Sequence, residues 1–297
     1  MNKGILYMIL SGICFIIVNF FVKLLGPNQP EIFGAVQSYP AHELVLARSI
    51  VSFVISLFII KQRKIPVFGN NKKWLIIRGV AGMIALTIFF YTVHYLPLAV
   101  AVTVQYLAPI FTIIFAMILL KEKVRSLQWV FISMTFLGVL LITLSGGDPE
   151  AGYGEFSSLW IGLGLFSAVL SGVAYTAIMK LKTTDAPITI VFYFPMISIP
   201  FMALMCLFDF TMPHGIEWLY LLLIGIFTQC AQITMTRALH QGAASTIIPF
   251  QYLGAIYAFL VGYLLFEETL SNMIEIGIVL VVSGVVINAI LRKSKQT

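Results

Sequence analysis

The sequence predicts an all-α polytopic membrane protein whose ten transmembrane helices form two inverted five-helix repeats. Three observations carry that prediction. The 297 residues are 60% hydrophobic and only 10% charged, with a mean hydropathy of +1.00, too little charge to cover a soluble protein of this length. The basic residues gather in alternate loops. One stretch, Gln105–Glu122 (QYLAPIFTIIFAMILLKE), returns at Gln251–Glu268 as QYLGAIYAFLVGYLLFEE.

The apolar runs are about 20 residues long, the length an α-helix needs to cross a bilayer core of about 30 Å. Backbone polar groups in lipid must be satisfied within the segment, and runs of this length achieve that as helices. The ten spans are Gly4–Leu25, Ala41–Ile60, Trp74–Tyr95, Leu98–Leu120, Leu127–Leu144, Ser158–Leu181, Pro187–Leu207, Glu217–Leu239, Ala243–Leu265 and Met273–Leu291. No small-residue cleavage site clearly follows the first run, so it reads as a retained helix. Trp74, Trp129, Trp160 and Trp218 each stand at the start of a span, where an indole settles at the headgroup level. Cys14, Cys206 and Cys230 fall inside apolar runs without metal-ligand spacing and read as reduced, small apolar side chains.

Orientation follows from the loops. Lys61, Arg63, Lys64, Lys72 and Lys73 crowd the second loop, and Lys121, Lys123 and Arg125 fill the fourth. Lys180 and Lys182 mark the sixth, Arg237 the eighth, and Arg292, Lys293 and Lys295 the tail. The odd-numbered loops are poor in Lys and Arg. Basic loops stay cytoplasmic, so both termini are expected in the cytoplasm, in a cell inner (plasma) membrane.

A shift of about 146 residues aligns Trp74–Thr143 with Tyr220–Ala289. It pairs Gly79 with Gly225, His94 with His240, Gln105 with Gln251, Tyr106 with Tyr252, Glu122 with Glu268 and Gly138 with Gly284. The halves are 1–146 and 158–297, with five spans each. An odd count inserts the second half upside down, an arrangement recurrent in secondary transporters.

At this point the sequence resembles a known family. The fourth-span pattern Gln105-Tyr106-Leu107-Ala108-Pro109, its end Leu119-Leu120-Lys121-Glu122, and the Gly138 span after it are similar to the drug/metabolite transporter superfamily, EamA type. The resemblance covers essentially the whole chain. In the second half Ala255 replaces the proline, so any kink is asymmetric. The resemblance implies a central cavity and alternating access. It places spans 1, 3, 4, 6, 8 and 9 nearest the substrate, with 5 and 10 peripheral.

Polar side chains inside a span are costly and mark candidate sites; the rival reading is an interhelical hydrogen bond. The eighth span has the richest stripe, with Gln229, Gln232, Thr236, Arg237 and His240 on one face. That stripe lines a cavity or meets another helix. Tyr91, His94 and Tyr95 share a face near the outer end of the third span; a histidine there titrates near neutral pH and can couple transport to protons, or it is simply solvated. Arg48 lies about 10 Å into the second span by helical rise. It snorkels, pairs with a carboxylate on another helix, or binds a substrate carboxylate. Asn19, Tyr175, Gln105, Tyr106, Gln251 and Tyr252 complete the candidate substrate-binding set of Asn19, Arg48, Tyr91, His94, Gln105, Tyr106, Tyr175, Gln229, Gln232, Gln251 and Tyr252. Pro109, Pro195, Pro200 and Pro249 each remove a backbone hydrogen bond and serve as hinges or static kinks.

No Walker-type phosphate loop, zincin histidine pair or Asp-rich metal cluster occurs. The expectation is a secondary transporter for a small organic metabolite, an amino acid or a derivative. A carrier for an aromatic vitamin or nucleoside-like metabolite is the alternative, and a polytopic membrane enzyme or channel stands for another class. No cofactor, metal or nucleic acid is called for. The partners are a small-molecule substrate and the lipid bilayer, and a homodimer is left open.

Overall fold

In the computed structural model the described residues are 3–27, 36–121, 129–130, 133–134, 137–138, 141, 158–241, 247, 250–251, 253–266 and 272–293. Their regular structure is all helical, with no strand among them. The helices are α1 (Lys3–Leu24), α2 (Ala41–Gln62), α3 (Lys72–Tyr95), α4 (Leu98–Gln105), α5 (Ala108–Leu120), α6 (Ser158–Leu181), α7 (Pro187–Cys206), α8 (Glu217–Gln241), α9 (Leu253–Leu265) and α10 (Asn272–Lys293). Among the described residues seven stretches are long and apolar enough to cross a membrane: α1, α2, α3, the joined pair α4 and α5, α6, α7 and α8. Their outward faces carry apolar side chains at helical spacing, such as Leu6, Leu10 and Ile13, or Ile50, Val54 and Phe58, or Leu219, Leu222 and Ile226. That is the pattern of a lipid-facing stripe. Most of the expected fifth span lies outside the described residues, as do Glu122, Pro249, Tyr252 and Glu268.

The fourth span is broken where its proline demands. Pro109 has no N–H, so the Gln105 carbonyl loses its helical donor. The chain turns at Tyr106–Leu107, closed by short bonds from Leu107 N to Val104 O (3.1 Å) and from Ile110 N to Leu107 O (2.9 Å). Pro109 then sits in the first turn of α5, where a missing N–H costs nothing. Pro195 and Pro200 lie inside the continuous helix α7.

The helices pack in related pairs. α1 packs on α8 and α3 on α6; α2 packs on α8 and α3 on α7; α2 meets α7, and α4 meets α9. Individual contacts repeat the relation. Gly79 lets Ile197 and the Tyr193 carbonyl of α7 approach its backbone, and Gly225 gives the same room to Val51 of α2. Val51 and Ile197 are themselves separated by the shift that relates the two glycines. Ser11 donates to the Ala231 carbonyl (2.9 Å), and Ser167 donates to the Ala85 carbonyl (2.7 Å), again acceptors at that shift.

Two carboxylates tie loops together at opposite ends of α2. At its N-terminal end Glu217 accepts bonds from Gln37 N (2.7 Å), Gln37 Nε2 (2.9 Å), the Tyr39 hydroxyl (2.5 Å) and His214 N (2.7 Å). At the other end Asp185 accepts from Asn70 N (2.5 Å), Asn71 N (3.3 Å) and the Thr184 hydroxyl (2.6 Å). The apolar core divides into two clusters. One includes Val22, Leu44 and Leu96, and the other Met8, Ile60 and Leu75; Tyr106, Tyr175 and Ile197 pack against both.

Candidate functional site

Tyr106 and Tyr175 also border a cavity that every span from the first to the fourth and from the sixth to the ninth helps to line. The volume open to the centres of water-sized molecules is about 110 Å³. Its lining is aromatic and amide-rich: Phe15, Phe89, Phe90 and Phe194 beside Asn19, Gln105, Gln232 and Gln251. Two arginines, Arg48 and Arg78, enter it, and no Asp or Glu is among the described lining residues.

Arg48 is only 1% exposed, and its Nε and Nη1 have no hydrogen-bond partner among the described residues. Its guanidinium carbon lies 5.6 Å from the ring centre of Phe90 and 5.3 Å from that of Phe194. The pairing with a carboxylate on another helix, one of three sequence expectations, is not found among the described residues around it. Arg78 is 2% exposed and stands 5.7 Å from the Phe194 ring centre. Its Nη2 donates to Gln232 Oε1 at 2.8 Å, while its Nε is unpartnered. Gly82, one turn on, leaves the space that Arg78 Nη1 fills; a β-carbon there would also come within 3.3 Å of the Phe194 ring. The break before Pro109 turns the end of α4 toward the same space. Gln105 is held by Ser171 and Ser167 of α6: its Nε2 donates to the first at 2.8 Å, and its Oε1 lies 3.0 Å from the hydroxyl of the second, whose one proton is shared with the Ala85 carbonyl. Gln251 touches Met235 Sδ at 3.6 Å, and its Oε1 is unpartnered.

Of the eleven candidate residues, Asn19, Arg48, Gln105, Tyr106, Tyr175, Gln232 and Gln251 line this one cavity. Tyr252 lies outside the described residues. Three candidates stand elsewhere. Gln229 donates to Ser56 of α2 at 2.7 Å: the polar face of α8 is wide enough that one edge meets a helix and the other the cavity. Tyr91 is bonded to His42 Nδ1 at 3.0 Å. His94 is buried against α1, with Nε2 donating to the Val22 carbonyl at 3.1 Å, and is not solvated. Of the face expected for Tyr91, His94 and Tyr95, the two tyrosines both stack on Trp160 of α6, with ring centres at 6.5 and 4.2 Å, and His94 alone turns to α1.

Sequence reasoning missed Arg78 and Phe194. Arg78 carried the signal used for Arg48, a fixed charge inside a span, four residues before a glycine. Phe194 carried none, because a phenylalanine in an apolar run reads the same whether it faces lipid or a cation. The second and seventh spans enter the cavity through Arg48 and Phe194, beyond the six spans that the resemblance placed nearest the substrate.

The model of the EamA-like transporter family matches the chain twice, over residues 2–144 and 158–290. The chain is 28% identical to the pseudopaline exporter CntI of Pseudomonas aeruginosa, over 95% of this chain and 94% of that one. It is 26% identical to human solute carrier family 35 member G1, over 99% and 80% of the two chains. It is 25% identical to the riboflavin transporter of Vibrio cholerae, over 95% and 91%. A crystal structure 20% identical in sequence shares the fold with a TM-score of 0.68, covering 97% of this chain and 98% of that one. These relatives are transporters, not enzymes. The described helices are those of a multi-pass membrane protein, and the chain, a membrane transporter, belongs to the EamA-like transporter family.

Proposed function

We propose that the protein is a secondary transporter that moves a small organic metabolite, an amino acid or a derivative, by alternating access. The observation that carries this reading is the cavity bounded by spans from both halves, rich in amides and aromatic rings and free of described acidic side chains. Amides and guanidinium groups suit the carboxylate and polar groups of such a solute, and phenyl rings suit its carbon skeleton. Asn19, Arg48, Arg78, Gln105, Tyr106, Tyr175, Gln232 and Gln251 are the residues assigned to it.

The same reading takes the halves 1–146 and 158–297 as inverted repeats of five spans, with both termini cytoplasmic and the chain in the cell's inner (plasma) membrane. The double family match and the paired contacts of Gly79 with Ile197 and Gly225 with Val51 support it. Inverted repeats rock about a fixed central site and expose it to each side in turn. A second reading, an aromatic vitamin or nucleoside-like solute, is favoured by the four phenyl rings of the lining.

The test is solute counterflow in liposomes holding the purified chain, with labelled amino acids, their derivatives, flavins and nucleosides as separate panels. Saturable counterflow by an amino acid or derivative supports the first reading, and counterflow by flavins or nucleosides alone supports the second. Conductance that does not saturate with solute would reject a carrier.

A further inference from the structure

Within that transporter reading, the charges of the cavity define its solute more narrowly. Arg48 and Arg78 come from different helices and are almost wholly buried. A guanidinium keeps its charge under any physiological condition. Placing two in the interior of a membrane protein is expensive unless each is compensated. The compensation visible in the protein is neutral: the Phe194 ring lies under both, Phe90 lies under Arg48, and Gln232 holds one nitrogen of Arg78. Cation–π contacts of this kind are worth on the order of 0.5–2 kcal/mol, far less than the desolvation of a fixed charge. No described residue of the lining supplies a carboxylate.

Among the described residues, Nε and Nη1 of Arg48 and Nε of Arg78 have no hydrogen-bond partner. Both guanidinium carbons lie over one ring, so they are no farther apart than their two distances to its centre laid end to end. A short solute can therefore reach both. Gln232 fixes Arg78 through Nη2 alone, which orients the group and leaves its charge uncancelled.

We infer that the transported solute is an organic dianion, with one anionic group for Arg48 and a second for Arg78 and a carbon skeleton lying against Phe90 and Phe194. A single carboxylate would leave one buried guanidinium uncompensated. Two give a neutral, hydrogen-bonded site that can rock across the membrane core without carrying net charge through it.

The probes are a graded series of dicarboxylic acids from succinate to sebacate and N-acetylglutamate, each beside its monomethyl ester. Thermal stabilisation of the full chain in detergent reads binding, and competition in counterflow reads transport. At least one diacid is expected to bind and compete about thirtyfold or more tightly than its monoester, the loss that follows when one partner of a buried charge pair is removed. Arg48→Met and Arg78→Met should each abolish that preference for the diacid, whereas Arg48→Lys and Arg78→Lys should keep it in weakened form. If the methionine variants do not fold, the diacid-to-monoester ratio on the unaltered chain decides alone. Monoesters binding as well as diacids, or a diacid preference that survives Arg48→Met, would overturn the dianion. Saturable counterflow by neutral or singly charged solutes, with diacids inert, overturns it and leaves the carrier standing. Absence of counterflow with every panel overturns both.

Discussion

The guanidinium carbon of Arg48 lies 5.3 Å from the ring centre of Phe194, and the two residues are separated in the chain by the same shift that relates Gln105 to Gln251. A cation of the second span thus meets a ring of the seventh at the cavity. Arg78 shares that ring. Phe194→Leu removes the shared π-face, leaving Arg48 only the Phe90 ring, and is expected to lower stability by about 1–3 kcal/mol, from the two lost cation–π contacts and the altered packing. Phe194→Tyr keeps the face and should lose less. Thermal unfolding of the two variants in the same detergent checks the order, and equal losses would refute the shared-ring role.

The Tyr106 hydroxyl occupies the space where a β-carbon on Gly254 would stand. Gly254→Ala should therefore displace Tyr106 from the cavity wall, at a cost of about 1–3 kcal/mol, and lower solute affinity. Adding Tyr106→Phe removes the colliding oxygen and should recover part of the lost stability. Gly162→Ala, with open space around it, is the control expected to change nothing. Strict additivity of the Gly254 and Tyr106 changes would contradict the contact.

Gln229 and Gln232 lie one helical turn apart on α8 but have different duties. Gln229, 2% exposed, bonds Ser56 of α2, while Gln232 lines the cavity and holds Arg78. Gln229→Ala should cost about 1 kcal/mol of stability, the scale of an interhelical hydrogen bond in a membrane, and leave KM within about twofold. Gln232→Ala should raise KM by about tenfold, a change of about 1.4 kcal/mol in solute binding. Transport kinetics of both variants in liposomes decide the matter, and similar KM values would erase the distinction.

At one end of the bundle Tyr39 donates to Glu217 at 2.5 Å. Burial, and after it the Glu217 carboxylate, holds the Tyr39 phenol above its usual range. A raised phenol adds stability below its unfolded value of about 10 and loses it as pH rises through the folded value. Tyr39→Phe is expected to cost about 1.5–3 kcal/mol, as for a hydrogen bond to a charged group. The gap to the unaltered protein should be constant near neutral pH and narrow above about pH 10. Unfolding temperatures across that range test both the size and the direction.

Much of this protein was legible before any fold was seen. Length and hydropathy of the runs determine helices, because backbone groups in lipid have no other partners. The proline in the fourth span determines a break, and it falls at Tyr106–Leu107. The polar matches between Gln105 and Gln251 mark two stretches that do line one cavity. Seven of the eleven candidate residues were found because a polar group inside a span has to be accounted for by a site or a contact.

Which of those two accounts applies was decided only by tertiary structure. Gln229 and Gln232 differ by one helical turn, and helical spacing cannot tell a neighbouring helix from a cavity when both lie on the inward face. His94 looked solvated at a helix end but is covered by α1, because loop and helix placement, not position in the span, determines burial. Phe194 was silent in the sequence, since apolar residues gain nothing distinctive from facing a cation until the cation is brought to them. The chain by itself determined the helices, the echo of Gln105 at Gln251 and a set of costly polar groups. Packing determined which of those groups converge and left two buried arginines beside neutral partners, because long-range contacts between spans far apart in the sequence carry no local pattern.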